Sequence, residues 1–294
     1  MTVEKAEAVG FSERIRRIRH REFVRRLRRD KAAVAGLAVI TALMITALFA
    51  PVLARQDPND QHMLHVLERP GQHYWLGSDE FGRDILSRII WGTRISLHVG
   101  LLSIAVATLV GVTLGLVSGY YGGKSDTLIM RVMDIMLAFP WLLLAIAIMS
   151  ILGTGVINVV IAVAIVYIPA FARLVRSSVL ATKEQDYVLA ARAAGASNMR
   201  VMFRHILTNV WAPTIVQVTL SIGQAIIYAS ALSFIGLGTQ PPTADWGAML
   251  SSGREYLRDA PWLSTFPGLA ILLTVLAFNL FGDGMRDVLD PRLK

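Results

Sequence analysis

The chain contains no cysteine, which removes a disulfide framework, thiolate metal sites and a cysteine nucleophile from consideration. Charge is scarce as well. Asp, Glu, Lys and Arg make up 17% of the 294 residues against 54% hydrophobic ones, and the mean hydropathy is +0.53. A water-soluble globule of this size keeps a more polar surface, so the balance points to a chain solvated by lipid. The apolar runs also lack paired acids, a Ser/His set and a His-Glu-x-x-His, one of which an intramembrane enzyme would need. The formal net charge of +8 does not read as nucleic-acid binding. Lys and Arg gather between the apolar runs and at the N-terminus, not over one soluble face.

What is present is a series of six apolar runs, at about 32–54, 96–119, 133–153, 156–175, 213–236 and 263–282. Each approaches the ~20 residues a helix needs to cross a bilayer. Ala32 to Ala54 holds no charge, and its polar groups, Thr41 and Thr46, can bond to their own helix. Val52-Leu53-Ala54 resembles a signal-peptide cleavage site, but the run is too long and its basic flank too extended for one. Of the 29 Lys and Arg, 22 fall on the side that holds both termini and 7 on the other. The positive-inside rule therefore predicts cytoplasmic termini.

The arm, 1–31, holds nine arginines from Arg14 to Arg29, with Phe11, Ile15, Ile18, Phe23 and Leu27 interspersed. It reads as an amphipathic helix lying on anionic lipid. Residues 32–294 read as one domain without repeats, with outer loops at about 55–95 and 237–262 and a cytoplasmic loop at about 180–208. In that loop Ala and Leu favour a short helix from Tyr187 to Ala194. Gly195 can close it in a left-handed conformation, and Ser197 can cap a second helix running to about His205. An alanine-faced helix lets another surface approach closely; it suits docking as well as plain packing on its own domain.

These residues carry a resemblance. Ala190-Ala191-x-x-x-Gly195, followed by Arg204-His205-Ile206-Leu207, resembles the EAA loop of binding-protein-dependent ABC importer permeases. Trp75-Leu76-Gly77-Ser78-Asp79-Glu80-Phe81-Gly82-Arg83-Asp84-Ile85-Leu86-Ser87-Arg88, and Leu232-Ser233-Phe234-Ile235-Gly236-Leu237-Gly238 continuing through Pro241-Pro242 to Trp246-Gly247, resemble the dipeptide/oligopeptide/nickel subfamily. So does the tail, from Phe266-Pro267-Gly268 through Gly282-Asp283-Gly284 to Leu289-Asp290-Pro291-Arg292. The resemblance implies an all-α membrane protein with the type I ABC importer transmembrane fold: six transmembrane helices, an N-terminal surface helix and a cytoplasmic coupling helix. It implies a bacterial inner-membrane subunit that forms half of a pathway worked by alternating access. The expected cargo is a di- or oligopeptide, with nickel or glutathione as alternatives.

The partners it implies are a second homologous permease, two ATPase subunits and an extracytoplasmic solute-binding protein. ATP and Mg would sit on the ATPases, and this chain would hold no cofactor. Carried over, the ATPase-coupling interface comprises Leu189, Ala190, Ala191, Ala194, Gly195 and Ser197, flanked by Tyr187 and Arg204. Three positions depart from the family pattern: Leu189 replaces the Glu that names the motif, Thr208 stands where Pro is frequent, and Ala229 stands where many relatives have an acid.

Other patterns lead elsewhere. Ser118 to Ser125 approaches a phosphate-binding loop but lacks its first glycine and follows an apolar run where the motif needs a strand. His62, His65 and His73 share the first outer loop, and such histidines read as incidental more readily than as ligands. Asp134, with Arg131 one turn earlier, reads as a pair near the cytoplasmic boundary. The spans are otherwise nearly free of ionisable groups, which argues against a proton-driven carrier.

Overall fold

In the computed structural model, residue 25 and residues 27–289 are described. The basic arm's expected surface helix lies almost wholly outside them; residues 27–29 are helical. The described residues form a bundle of helices. Five are long and apolar enough to cross a membrane: α1 (Lys31–Leu48), α2 (Ile85–Tyr121), α5 (Val156–Thr182), α7 (Asn198–Phe234) and α9 (Trp262–Leu289). The pair α3 (Gly123–Ala138) and α4 (Trp141–Leu152) is together long and apolar enough for a sixth, but the two meet at 98°. Two short helices, α6 (Asp186–Ala193) and α8 (Trp246–Gly253), lie at opposite ends of the bundle.

Local chemistry sets the boundaries. Asp30 caps α1, its carboxylate accepting from the N–H groups of Ala32 (2.9 Å) and Ala33 (3.1 Å). Asp84 caps α2 by accepting from Ser87 N at 3.0 Å. Such caps satisfy N–H groups that a helix start leaves open. The expected straight span over 133–153 is instead broken at Phe139-Pro140. Proline lacks an N–H and pushes the residue before it into extended backbone, and Phe139 has ψ 135°. At 12 residues α4 is ~18 Å long, short of a ~30 Å hydrocarbon core.

Four other helices outrun their apolar stretches, α5 and α9 at their C-terminal ends and α2 and α7 by more. The loop read as 55–95 is helical from Ile85, and the span read from 213 begins at Asn198. Lipid requires only the middle of such rods to be apolar.

α2 and α5 pack backbone to backbone. Gly111, Gly115 and Gly119 line one face of α2. A β-carbon at Gly115 would lie 2.6 Å from the carbonyl oxygen of Ala172 and 2.7 Å from Val175 Cβ. Without a hydrophobic force between helices in lipid, such small-residue stripes supply close dispersion contact. The central core joins α2, α4, α5 and α7 through Leu97, Ile104, Met149, Val163, Phe171 and Ile226. Trp141, just past the bend, stacks flat on Tyr228 of α7 with centroids 3.6 Å apart.

At one end a cap closes over the bundle. Asp79 binds Arg83 at 2.6 Å and approaches Arg88 at 3.6 Å, all three buried. Arg88 donates to the carbonyls of Pro58 (2.8 Å) and Pro242 (3.3 Å), stitching both loops to α2. Trp246 donates from its indole to Ile89 O at 3.1 Å and fills the space over Gly92. The Trp75–Arg88 motif is thus a knot that holds the cap.

Candidate coupling elbow

The opposite end carries the elbow. After α5 ends at Thr182, a short link leads into α6. The fully buried side chain of α6 is Val188, which packs among Leu116, Tyr120, Val175, Val179, Val201 and Ile206. Around it Tyr187, Leu189, Ala190 and Ala194 are exposed, and Ala191 is half-buried. Asp186 in the first turn and Arg192 in the last complement the helix dipole.

The turn after α6 is a Schellman motif. Gly195 N donates to Arg192 O at 2.9 Å, and Ala196 N donates to Ala191 O at 3.1 Å. Gly195 has φ +79°, the left-handed conformation that costs glycine nothing. Ser197 Oγ then accepts from Arg200 N at 3.4 Å and caps α7. Instead of ending near His205, this second helix continues through the membrane to Phe234. Its first turns contain a π-helical segment, Val201–Ile206, a feature frequent at functional sites.

Three contacts tie the elbow to its neighbours. Tyr120, near the end of α2, donates its hydroxyl to Asn198 Oδ1 at 2.8 Å, and the Arg192 guanidinium lies 5.0 Å over its ring. Asn209 Nδ2 on α7 donates to the Tyr187 hydroxyl at 2.5 Å. Arg192, Arg200 and Arg204 are exposed around the turn. The structure therefore brings Tyr187, Leu189, Ala190, Ala191, Ala194, Gly195 and Ser197 into one protruding element, with Arg204 on the following helix. Val188, Tyr120, Asn198 and Asn209 were not singled out from the sequence. Val188 was visible as an apolar residue at the start of an alanine helix; the tyrosine and asparagines gave no signal.

The neighbouring motifs resolve differently. Asp134 does not pair with Arg131: its Oδ1 accepts from Arg173 of α5 at 2.5 Å. Asp126, unnoticed in the sequence, binds Arg176 through two bonds of 2.5 and 2.6 Å. Ser118, which began the near phosphate-binding pattern, is buried and donates to the same carboxylate. In the cap loop His65 faces Glu68 and His62 faces Asp60. Among the described residues no three His, Cys, Asp or Glu converge as a metal site. Ala229 is buried in the central core beside Ile226 and Leu232, where an acid would need a partner. Thr208 Oγ1 donates to Arg204 O at 3.1 Å inside the α7 rod.

Comparison with known proteins places this architecture. Residues 111–294 match the family described as binding-protein-dependent transport system inner membrane component, and residues 20–70 match the N-terminal TM domain of oligopeptide transport permease C. The chain is 49% identical over 274 residues to a dipeptide transport system permease protein of Alkalihalophilus pseudofirmus, covering 93% of this chain and 90% of that one. It is 50% identical over 275 residues to a glutathione transport system permease protein of Pectobacterium atrosepticum, covering 93% and 91%. Among solved structures, a chain of the inward-facing MetNI methionine ABC transporter superposes with TM-score 0.58 at 15% identity, over 70% of this chain and 98% of that one. An amino acid ABC transporter chain gives 0.54 at 15%, over 68% and 94%. The similarity to the MetNI chain identifies the fold as the type I ABC importer transmembrane domain. With the family match spanning well over half its length, the chain belongs to the binding-protein-dependent inner-membrane permeases of ABC importers.

Proposed function

We propose that the chain forms half of the translocation pathway of an ATP-driven importer for di- or oligopeptides, its α6 elbow receiving the stroke of a separate ATPase. The observation that carries the reading is the elbow itself. A small-residue face protrudes from the bundle and is continuous with α5 on one side and, through the Gly195 turn, with α7 on the other. A push on α6 therefore moves two membrane rods together. The chain performs no chemistry. Nucleotide and magnesium belong to two ATPase subunits, a second homologous permease completes the pathway, and a solute-binding protein delivers cargo to the cap. Peptide cargo is supported by relatives at 49–50% identity named for dipeptide and glutathione transport. Glutathione, a tripeptide, is the second reading.

The elbow faces the cytoplasm in this reading, and the exposed arginines around it fit an acidic rim on the ATPase. The absence of cysteine provides a clean test. A single Ala194→Cys variant should react with a membrane-impermeant maleimide only in inside-out vesicles and be protected there by the ATPase subunits. A single Gly71→Cys variant in the cap loop should react only from the outside. Labelling of Ala194→Cys in right-side-out vesicles would sink the proposal.

A further inference from the structure

Between the cap and the outer ends of α2 and α5 lies an open-sided cavity of about 590 Å³. The elbow does not use it. Trp91, Arg94, His98 and Leu102 of α2 form one wall, Ile157 of α5 faces them, and Asp57 stands on the cap-loop lip. Its size falls within the roughly 300–1,000 Å³ of small-molecule sites, and an apolar lining with a few placed polar groups is their usual character.

The site is built rather than incidental. Its lip is fixed because Pro58 is buried and its carbonyl accepts from Arg88, while Asp57 Oδ1 accepts from Asn59 N at 2.8 Å. The Arg94 guanidinium lies 5.3 Å from the centroid of the Trp91 ring, and among the described residues it forms no ion pair. His98 Nδ1 lies 3.1 Å from Arg94 O, one turn away on the same face. A cation and an anion thus border one apolar hollow without neutralising each other.

We infer that this cavity is an entry subsite for a short zwitterionic peptide, with Arg94 taking the C-terminal carboxylate, Asp57 the N-terminal ammonium and the Trp91–Leu102–Ile157 surface the side chains. The assignment rests on the peptide reading above. Arginine presents a forked donor that suits a carboxylate, and a ligand carrying both charges satisfies both walls at once. A cation alone or an apolar solute would leave one wall unmatched.

The test crosses each residue with each end of the peptide in the complete complex, reconstituted with its binding protein. Wild-type, Arg94→Gln and Asp57→Asn complexes are given one dipeptide in free, C-amidated and N-acetylated forms, and initial uptake is measured. The binding protein is common to all three complexes, so its own preference cancels in each cycle. Arg94→Gln should lower uptake of the free peptide about tenfold while scarcely changing that of the amide; Asp57→Asn should show the same coupling to the acetylated form.

Losses equal for all three peptides would mean that these residues support the cap or dock the binding protein, and would overturn the inference. Wild-type complex that takes up no peptide would overturn the cargo reading, and this subsite with it. Uptake by wild type with flat cycles would overturn the subsite alone.

Discussion

Replacing Gly195 by valine places a β-branched residue at φ +79° without introducing a clash. A β-carbon built at Gly195 meets nothing of this chain within 4 Å, so within the chain the effect is conformational. The left-handed region costs an ordinary L-residue roughly 1–2 kcal/mol, with β-branched residues at the upper end or beyond and asparagine at the lower. Taking about 2 kcal/mol for valine, the Schellman turn opens about 30-fold more often, and α6 loses its fixed angle to α7. The assay is peptide taken up per ATP hydrolysed in proteoliposomes holding both permeases, both ATPases and the binding protein. The expected order is Gly195, then Asn, then Ala, then Val, with Val hydrolysing ATP while importing little. The open space makes the order diagnostic. Equal losses in all three variants would point to a packing role, and wild-type stoichiometry in the valine variant would refute the coupling role of the turn.

Two further outcomes follow from charged groups at the two ends. Asp126 and Arg176 are joined by two bonds, and being only partly buried the pair contributes about 1–2 kcal/mol to holding α3 on α5. Asp126→Asn should therefore weaken assembly and coupled uptake together, and the exchange Asp126→Arg with Arg176→Asp should restore most of both; no rescue would mean that the bend is held elsewhere. At the cap, burial pushes the Asp245 carboxyl above the ordinary carboxylate range, opposed by the Ala248 N–H it caps at 3.0 Å. A raised folded-state value favours the protonated form, so its contribution to stability is present at low pH and lost as pH rises through that value. Asp245→Asn keeps the cap without the charge. It should unfold at higher temperature than wild type at pH 7, with the gap closing on acidification; a gap that widens in acid would reverse the argument.

The parts of this fold that lipid dictates were legible. A bilayer admits long uncharged helices and little else, so the five continuous spans follow from the apolar runs, and the Ala194–Ser197 turn follows from one glycine and one serine at fixed offsets. What escaped depends on contacts between elements. Pro140 was visible, but hydropathy alone joined both sides of it into one span. Asp134 was given its neighbour in sequence, while the fold supplies Arg173 from α5. The ends of α2 and α7 were set too short because helix persists beyond the lipid, where polar residues are free to continue it. The stripe Gly111, Gly115, Gly119 was readable as a four-residue period on one helix face. That it meets Ala172, Val175 and Val179 was not, since the partner helix is fixed only in three dimensions.

In the proposed coupling role, the surface chemistry of Leu189 bears on the elbow's choice of partner. The family's motif places an acid there, and this chain places a leucine that is 43% exposed, next to Ala190 and close to Ala194. Covering that remaining surface contributes about 1 kcal/mol. The gain is nearly indifferent to salt, whereas an exposed ion pair is worth as little and is screened. What is lost is direction. A carboxylate meeting an arginine fixes one register, while a leucine against an apolar cleft tolerates several. The register must then come from features that remain directional: the closed turn at Gly195, the Tyr187–Asn209 bond that sets α6 against α7, and the charged flank of Arg192, Arg200 and Arg204. In the coupling role proposed above, such an elbow would recognise its ATPase by the shape of an alanine face and a basic border, so rigidity at Gly195 would matter more here than where an ion pair can correct the alignment.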